Sequence, residues 1–247
     1  MSAAALASGP SLAERVTDLL ERVDYRLAVT PEEKEAVYRL RYQAYLREGA
    51  IGPSFVKKLA DRFEDSPNGY TFGVYIDGEL ASSLRIHVAS QENSDTPAVD
   101  AFADILMPEI EAGKTIIDNN RFVADHNFSR AFPALPYVTV RLGYMASKFF
   151  DATLGLATVR KEHQAFYKRF FGFTSLAEPR FYPTLTKPLG LMSIYQPEVR
   201  DHAAKRYPFF WSSYTERRML FERPVPMHRM PMPQRPHLVH EDARLNA

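Results

Sequence analysis

The chain of 247 residues carries 31 basic and 30 acidic side chains, a formal net charge of +1, with 45% hydrophobic and 13% aromatic residues. This composition excludes a strongly basic nucleic-acid-binding protein and a disordered polyelectrolyte, and it is typical of one globular domain of enzyme size. The absence of cysteine excludes thiol nucleophiles, iron–sulfur clusters and cysteine-ligated zinc, and the seven histidines show no metal-binding spacing on a predicted helix, so we expect no metal site.

The first part of the chain predicts a short helix, a strand and a longer helix. Ser11 is a suitable N-cap for an amphipathic helix that ends near Val23, and Tyr25–Val29 then predicts a strand. The run Thr30-Pro31-Glu32-Glu33 combines an N-cap, a proline at N1 and a glutamate at N3, so a second helix should begin there and continue to about Arg47. The apolar residues of this helix recur at helical spacing and should face the core. They are Ala36, Val37, Leu40, Ala44 and Tyr45.

A hairpin follows. Asp77-Gly78 separates two alternating runs, Tyr70–Ile76 and Glu79–Val88, and this dipeptide favours the tight turn that joins antiparallel strands. A polar loop should then extend through Pro97.

Strands and helices alternate in the second half. The predicted strands are Thr115–Ala124, Gly155–Arg160, Phe173–Glu178 and Leu189–Tyr195, and the predicted helices are Leu135–Leu154 and Glu162–Phe171. Gly172 suits the left-handed position that ends a helix. An antiparallel section followed by helical crossovers predicts an α+β fold with a mixed sheet.

Several motifs resemble the acyl-homoserine-lactone synthase superfamily and, more closely, its long-chain N-acyl amino acid synthase (FeeM-like) branch. They are Tyr38–Gly49, Asp61–Asp65, Ser83–His87, Asp118–Phe122, Arg160–Phe173, Tyr182-Pro183 and Lys187–Leu189. The resemblance spans about Tyr25 to Met192. It implies the fold of the GCN5-related N-acetyltransferases, a central, mostly antiparallel, splayed sheet flanked by helices.

Proteins of this family join a fatty acyl group, carried as a 4′-phosphopantetheine thioester on acyl carrier protein, to the amine of a small acceptor. The resemblance therefore implies an N-acyltransferase that uses acyl carrier protein and an amino acid or similar amine, with no cofactor beyond the donor. Lactone synthases have a tryptophan soon after their arginine-rich first helix, associated with S-adenosylmethionine. The single tryptophan here is Trp211, far from that place, so we disfavour lactone formation.

Amine attack on a thioester requires removal of a proton, for which a carboxylate is suited. The candidates are Asp61, Glu64, Asp65 and Asp118, of which Glu64 and Asp118 are our predicted bases because they match the family's motifs. The alternative for each acid is a solvated loop or a helix cap. Asp61 and Asp65 are predicted to bind substrate.

Three arginines in the matched motifs are candidates for binding the α-carboxylate of the acceptor, because a guanidinium binds a carboxylate through two parallel hydrogen bonds. They are Arg41, Arg85 and Arg121, the last also predicted as catalytic; the alternative is a buried structural network with the acids. In a regular strand Asp118 and Arg121 would point to opposite faces. We therefore predict a bulge at Asn119-Asn120 that places both in the site and frees a backbone N–H for the thioester carbonyl.

The segment His126–Pro136 discriminates between donors. It lacks the glycine-rich loop with which acetyl-CoA enzymes of this fold bind pyrophosphate, which favours a carrier-protein donor. Tyr167 is predicted to protonate the leaving thiolate, whereas His163 has the features of a structural histidine. The basic side chains predicted to meet an acidic carrier protein are Arg130, Arg141, Lys148, Lys161, Lys168 and Arg169. The aromatic residues predicted to line an acyl pocket, or else the core, are Phe122, Phe128, Phe132, Tyr144, Phe149 and Phe150.

We expect an N-terminal extension (1–24), an acyltransferase domain (25–196) and a C-terminal helix with a flexible tail (197–247). From His202 onward, eight basic and four acidic residues give a net charge of +4, which predicts a peripheral contact of Arg206–Trp211 and Glu216–Arg218 with lipid or carrier protein, or else a packed helix. No apolar run reaches the ~18 residues of a membrane span, and Met1–Pro10 does not resemble a signal peptide, so a cytoplasmic location is expected. Two other functions remain open: a GCN5-type acetyl-CoA acetyltransferase and a non-catalytic acyl-carrier or lipid-binding module.

Overall fold

The computed structural model describes residues 9–182 and 185–223. The prolines from Pro224 to Pro236 and the Pro183 of one family motif lie outside these residues. Across the described ranges, every helix is too short or too polar to cross a membrane.

Seven strands form one sheet in the order β1-β2-β3-β4-β5-β7-β6. They are β1 Val23–Leu27, β2 Gly69–Ile76, β3 Glu79–Ala89, β4 Ile116–Ala124, β5 Leu154–Val159, β6 Thr174–Arg180 and β7 Leu189–Tyr195. The helices are α1 Leu12–Leu20, α2 Pro31–Arg47, α3 Pro97–Glu111, α4 His126–Ala131, α5 Leu135–Phe149, α6 Gln164–Phe171, α7 Gln196–Arg206 and α8 Tyr214–Phe221, with 3-10 turns at Lys161–His163 and Pro208–Phe210. Strands β4 and β5 pair in parallel and the other neighbours are antiparallel, which confirms the predicted mixed, mostly antiparallel sheet.

Local sequence features place several element ends as predicted, whereas α1 ends at Leu20 and not near Val23, and α5 ends at Phe149 and not at Leu154. Ser11 and Thr30 each form a capping box with the glutamate three residues later. The hairpin turn has positive φ at both Asp77 (51°) and Gly78 (86°), the geometry that matches the twist of the flanking strands. Gly172 ends α6 with φ of 74°.

The two faces of the sheet carry different layers. On one face, α5 packs Leu142 and Met145 against Leu84 and Ile117, in a core that also includes Phe210. The core on this face is completed by residues of α1 and α8, so segments on both sides of the predicted central domain pack into it. On the other face, α2 and α3 cover strands β3, β4 and β5.

From the sequence we predict a loop through Pro97 and assign no element between it and Thr115, so helix α3 is missed. Thr96 caps this helix and Pro97 occupies its first turn, while Phe102, Leu106 and Ile110 are buried at a spacing of four residues. The helix is kinked at Phe102, where φ is −133°. Its N-terminus lies against β4, where the backbone N–H of Ala98 donates a hydrogen bond to the Asp118 side chain.

Strands β4 and β5 pair only as far as Asn119 and Ala157, after which they diverge. The β3–β4 ladder is regular through Asp118, Asn119 and Asn120, so the predicted bulge at Asn119-Asn120 is wrong. The extra residue lies one position later, at Arg121-Phe122 opposite Leu84, and Arg121 has a left-handed φ of 53°. The predicted oxyanion role of a freed N–H at Asn119-Asn120 loses its structural basis.

Candidate functional site

The gap between the diverging strands β4 and β5 holds a cavity of about 440 Å³. Helix α2 and the segment before β7 close its sides, and α6 closes its end. The cavity-lining residues that the sequence had singled out include Tyr45, Asn119, Asn120, Arg121, Phe122, His163 and Tyr167. Its only acidic lining residue among the described ones is Glu48.

The bulge brings Arg121 into this cavity. Because one extra residue shifts the alternation, Asp118, Asn120 and Arg121 share the sheet face covered by α2, as the resemblance required. The Arg121 guanidinium donates to Asp61 Oδ2 from Nη2 (2.6 Å) and Nε (3.1 Å). It also lies 5.5 Å from the centre of the Tyr45 ring. Arg121 Nη1 is buried and has no hydrogen-bond partner among the described residues.

Arg121 belongs to one buried cluster of five charged side chains. Arg85 Nη1 bridges Asp61 Oδ1 and Glu64 Oε1, each at 2.7 Å, and Arg41 Nη1 also donates to Glu64 Oε1 at 2.7 Å. Three guanidinium groups and two carboxylates leave an excess of one positive charge, to which the neighbouring Asp118 adds no full negative charge because burial raises its pKa and favours its neutral form. Buried charge without a counter-ion is costly, so the cluster favours an anion next to Arg121.

The electrostatics of Asp61 suit a permanent anion. Burial by itself would raise the pKa of Asp61, but hydrogen bonds and charge from Arg85 and Arg121 outweigh it and hold this pKa well below its usual range. Asp61 therefore orients Arg121 and does not accept a proton. Asp65, also predicted to bind substrate, is exposed and pairs with Lys34 at 2.7 Å.

The two predicted bases do not line the cavity. Glu64 is only 5% exposed and lies between Arg41 and Arg85. Asp118 is fully buried and its Oδ2 accepts a hydrogen bond from Ala98 N (3.0 Å), at the N-terminus of α3, the helix that the sequence analysis missed. Burial raises the pKa of Asp118. Asp118 therefore matches the alternative of a helix cap, whereas Glu64 belongs to the buried network of acids and arginines.

Arg41 and Arg85 also lie outside the cavity lining and are fully buried. Their guanidinium groups are engaged by Asp61 and Glu64, which corresponds to the buried structural network left open by the sequence. Of the three arginines, Arg121 alone lines the cavity.

His87 and Asn120 complete the cluster, and sequence reasoning assigned neither a role in it. Asn120 Oδ1 accepts from Arg85 Nε (2.7 Å), while its Nδ2 lies 3.2 Å from His87 Nδ1. His87 Nε2 lies 3.3 Å from the Phe63 carbonyl oxygen, so both ring nitrogens are partnered if Nε2 carries the proton. Burial, with a smaller effect of Arg85, lowers the pKa of His87 to about 3. The alternation Arg85, His87 on β3 was the available sign that both side chains share one face.

A second, apolar cavity of about 60 Å³ lies on the α5 face of the sheet. Asn119 and Tyr167 line both cavities and so mark their junction. Asn119 Nδ2 donates to the Leu156 carbonyl (3.1 Å), and its Oδ1 packs against Gly143 of α5, where a Cβ atom would collide with it. Because Gly143 has no side chain, α5 leaves room for the Asn119 side chain at the junction of the two cavities.

Polar side chains hold the open rim of the larger cavity. Arg160 Nη2 pairs with Glu48 and lies 2.7 Å from His163 Nε2, which must therefore act as the acceptor. His163 is thus a structural partner of Arg160, as predicted in preference to a base. Lys187 Nζ donates to the Glu48 carbonyl (3.1 Å) and ties the segment before β7 to the end of α2.

Two helices begin in the segment after β4: α4, which has a side-chain cap, and α5, which has none but carries Pro136, without an N–H, in its first turn. At the start of α4, the Asp125 carboxylate accepts from the N–H groups of Asn127 (2.8 Å) and Phe128 (3.1 Å). A carboxylate therefore occupies the N–H donors at the start of α4, and its charge would repel a phosphate there.

The basic residues predicted to contact a carrier protein, and the aromatic residues predicted to line an acyl pocket, lie partly at the surface or in the cavities and partly in the core. Arg141 is buried, donating to Glu216 and to the carbonyls of Phe209 and Trp211, so its predicted carrier-protein contact is wrong. Lys148 is half-buried, and the remaining basic candidates are exposed: Arg130, Lys161, Lys168 and Arg169. Of the predicted acyl-pocket residues, Phe122 lines the larger cavity and Tyr144 the smaller. The others pack on each other or in the core: Phe128, Phe132, Phe149 and Phe150.

The chain matches one family of known proteins, and several solved structures share its fold. The family described as N-acyl amino acid synthase FeeM matches residues 36–195. The solved structure of FeeM, an N-acyl amino acid synthase from uncultured soil microbes, is 24% identical with a TM-score of 0.58, covering 73% of this chain and 94% of that one.

Two further structures share the fold at lower identity. The acyl-homoserine-lactone synthase LasI is 12% identical (TM-score 0.54; 72% and 94% coverage). The CoA-dependent acyl-homoserine lactone synthase BjaI, with SAM and isopentyl-CoA, is also 12% identical (TM-score 0.53; 76% and 89% coverage). No curated protein matches the chain.

Proposed function

The chain belongs to the FeeM family of N-acyl amino acid synthases, and we propose that this N-acyltransferase moves a long-chain acyl group from acyl carrier protein to an amino acid. The observation that carries the proposal is the excess positive charge of the buried cluster, which reaches the cavity only through Arg121. An acceptor carboxylate at Arg121 Nη1 would supply the missing counter-ion. Its amine would then lie in the gap between β4 and β5, where the thioester enters.

The donor proposal is supported by the capping of α4. Because Asp125 occupies the N–H groups at the start of α4 and Pro136 lacks an N–H at the start of α5, this segment offers a pyrophosphate fewer donors than a glycine-rich loop does. The phosphopantetheine arm of a carrier protein has no pyrophosphate and does not need those donors. The arm would enter between the diverging strands, with the acyl chain directed to the apolar cavity on the α5 face.

In the proposed reaction, the amine nitrogen attacks the thioester carbonyl carbon and the carbon–sulfur bond breaks. Glu48, the acidic residue of the cavity lining, pairs with Arg160 through Oε2 and accepts the proton of the amine at Oε1, in place of the predicted Glu64 and Asp118. Tyr167 protonates the leaving thiolate and regains its proton from solvent. Burial raises the pKa of Tyr167, so its phenol is protonated at neutral pH.

The acceptor site is tested by comparing amino acids with their carboxamides as acceptors. Arg121→Gln should lower kcat/KM for the amino acid about tenfold to a hundredfold, the range for a lost charged hydrogen bond, and leave the carboxamide unaffected. Arg47→Gln, which changes another cavity-lining arginine, is the matched control. Equal losses for both acceptors would contradict carboxylate binding by Arg121.

The donor is tested with purified protein, an amino acid mixture and mass spectrometry of the products. We expect N-acyl amino acids from palmitoyl-carrier protein and little product from palmitoyl-CoA. Asp125→Ser, which keeps a neutral cap, should raise turnover with the CoA thioester. Turnover with acetyl-CoA alone would support the GCN5-type alternative, and carrier binding without turnover would support a binding module.

A further inference from the structure

A short turn between α2 and β2 exposes two apolar side chains at its tip. Lys57 N donates to the Ser54 carbonyl at 3.2 Å, which makes Phe55 and Val56 the central residues of a β-turn. Phe55 is fully exposed and Val56 is 66% exposed. Central turn positions ordinarily carry glycine, proline, asparagine or aspartate, so folding of the turn does not account for an aromatic and a β-branched residue there.

The turn is held firmly on the protein. The Tyr42 hydroxyl of α2 accepts from Ser54 N (2.9 Å), and Leu59 N donates to the Tyr38 carbonyl (3.0 Å). Both ends of the turn are thus fixed to α2 while its tip makes no packing contribution to the core. A protruding apolar tip on a fixed base suits insertion into a deformable medium, whereas a rigid protein surface would need a matching pocket.

The charge around the tip is positive. From Ala50 to Ala60 the chain has two lysines and no acidic residue. Lys58 pairs with Glu35 at 2.9 Å, and Glu35 also pairs with Arg39. Together with Lys57 these side chains sum to a charge of +2, which favours a surface of anionic headgroups.

The turn is also close to the mouth of the cavity. Ala50 lines the cavity, and the five residue-to-residue steps from Ala50 to Phe55 can span at most about 18 Å. An N-acyl amino acid has a long apolar chain and a charged head, so it partitions into bilayers and would leave the cavity most readily near one. This last step rests on the proposed function; the exposure, turn geometry and charge do not.

We propose that the turn Ser54–Lys58 inserts Phe55 and Val56 into the headgroup region of an anionic membrane, with Lys57 and Lys58 at the phosphates. The surface lies on the α2 side of the sheet. It differs from the C-terminal segment around Trp211, where the sequence alone predicted a peripheral contact and which packs on the α5 side.

The single tryptophan of the chain allows a direct test with the full-length protein. Trp211→Phe combined with Phe55→Trp places the only tryptophan at the tip of the turn. Its emission should shift to the blue with vesicles of phosphatidylglycerol and phosphatidylethanolamine, and remain unchanged with phosphatidylcholine vesicles. The emission of Trp211, which is 67% exposed in the unmodified chain, should not shift. A shift at Trp211 without one at position 55 would overturn the proposal.

Vesicle co-sedimentation provides the second measurement. Phe55→Ser with Val56→Ser should lower the vesicle partition coefficient at least about tenfold, because each inserted side chain gains the free energy of burial. Met219→Ser, at an 82% exposed residue of α8, is the matched control and should have no effect. Both sites are exposed, so the variants should unfold at the temperature of the unmodified chain.

Two outcomes separate this proposal from its rivals. If the double variant lost binding to acyl carrier protein and kept vesicle binding, the turn would be a protein-docking element and the proposal would be wrong. Since neither vesicle measurement requires turnover, absence of acyl transfer would contradict the proposed function and leave the membrane result standing.

Discussion

Mild acid should destabilise the protein through one buried histidine. His87 is fully buried, and its pKa of about 3 in the folded protein lies below the ordinary 6.5 of the unfolded chain. Between these values the unfolded chain binds a proton that the folded protein does not. The stabilising contribution of neutral His87 is therefore complete above pH 6.5 and is lost progressively as the pH falls toward 3.

The expected magnitude follows from the same pKa difference. Each pH unit below 6.5 costs about 1.4 kcal/mol, so lowering the pH from 7 to 5 should reduce the free energy of unfolding by about 2 kcal/mol. Asp61, whose pKa is lowered, contributes only near and below its unfolded value of 3.8, outside this interval. Asp118 acts in the opposite direction, because its pKa is raised in the folded protein.

Urea denaturation of the unmodified protein and His87→Gln at pH 7, 6 and 5 measures this contribution. The glutamine can keep the hydrogen bond to the Phe63 carbonyl but does not titrate. We expect the variant to be less stable at pH 7 and to lose about 2 kcal/mol less than the unmodified protein on going to pH 5. Parallel losses in the two proteins, or a His87 proton resonance that titrates between pH 5 and 7, would refute the reasoning.

Three further substitutions test buried contacts. Gly143→Ala should destabilise the protein by about 1–3 kcal/mol despite the better helix propensity of alanine, because the new Cβ collides with Asn119 Oδ1; adding Asn119→Ser should recover most of the loss in urea denaturation. Arg141→Met should cost about 2–4 kcal/mol and expose the C-terminal helices to limited proteolysis, since it leaves Glu216 and two carbonyls without their donor. Asp61→Asn should cost about 3–5 kcal/mol by leaving two buried arginines undercompensated; a denaturation midpoint equal to that of the unmodified protein would contradict the charge assignment of the cluster.

The sequence predicted which residues form the charged cluster, but it did not predict which of them reaches the cavity. The residues Arg41, Asp61, Glu64, Arg85 and Arg121 do come together, as the motif resemblance implied. The roles within the group depend on which side chain reaches the cavity, and only the bulge at Arg121-Phe122 decides that. Sequence alternation correctly indicated that a bulge was needed, but it does not specify at which residue the strand departs from regular pairing.

Residues near in sequence determined most of the secondary structure. The capping boxes at Ser11 and Thr30, the Asp77-Gly78 turn and the Gly172 helix end involve contacts within about four residues, whose geometry the local sequence dictates. Helix α3 was missed although Thr96 caps it locally, because we assigned no element to the residues between Pro97 and Thr115.

What only the tertiary structure decided are the contacts between segments far apart in the chain. Arg121 meets Asp61 across 60 residues, and Arg141, a surface residue by helix pattern, is buried by a segment 68 to 75 residues later. The free energy of a charged group depends on whether its partners and its solvent are present, and these are fixed by long-range packing. The sequence by itself therefore determined the family, the fold and the participants of the charged cluster, and the folded structure decided which of them faces the substrate cavity.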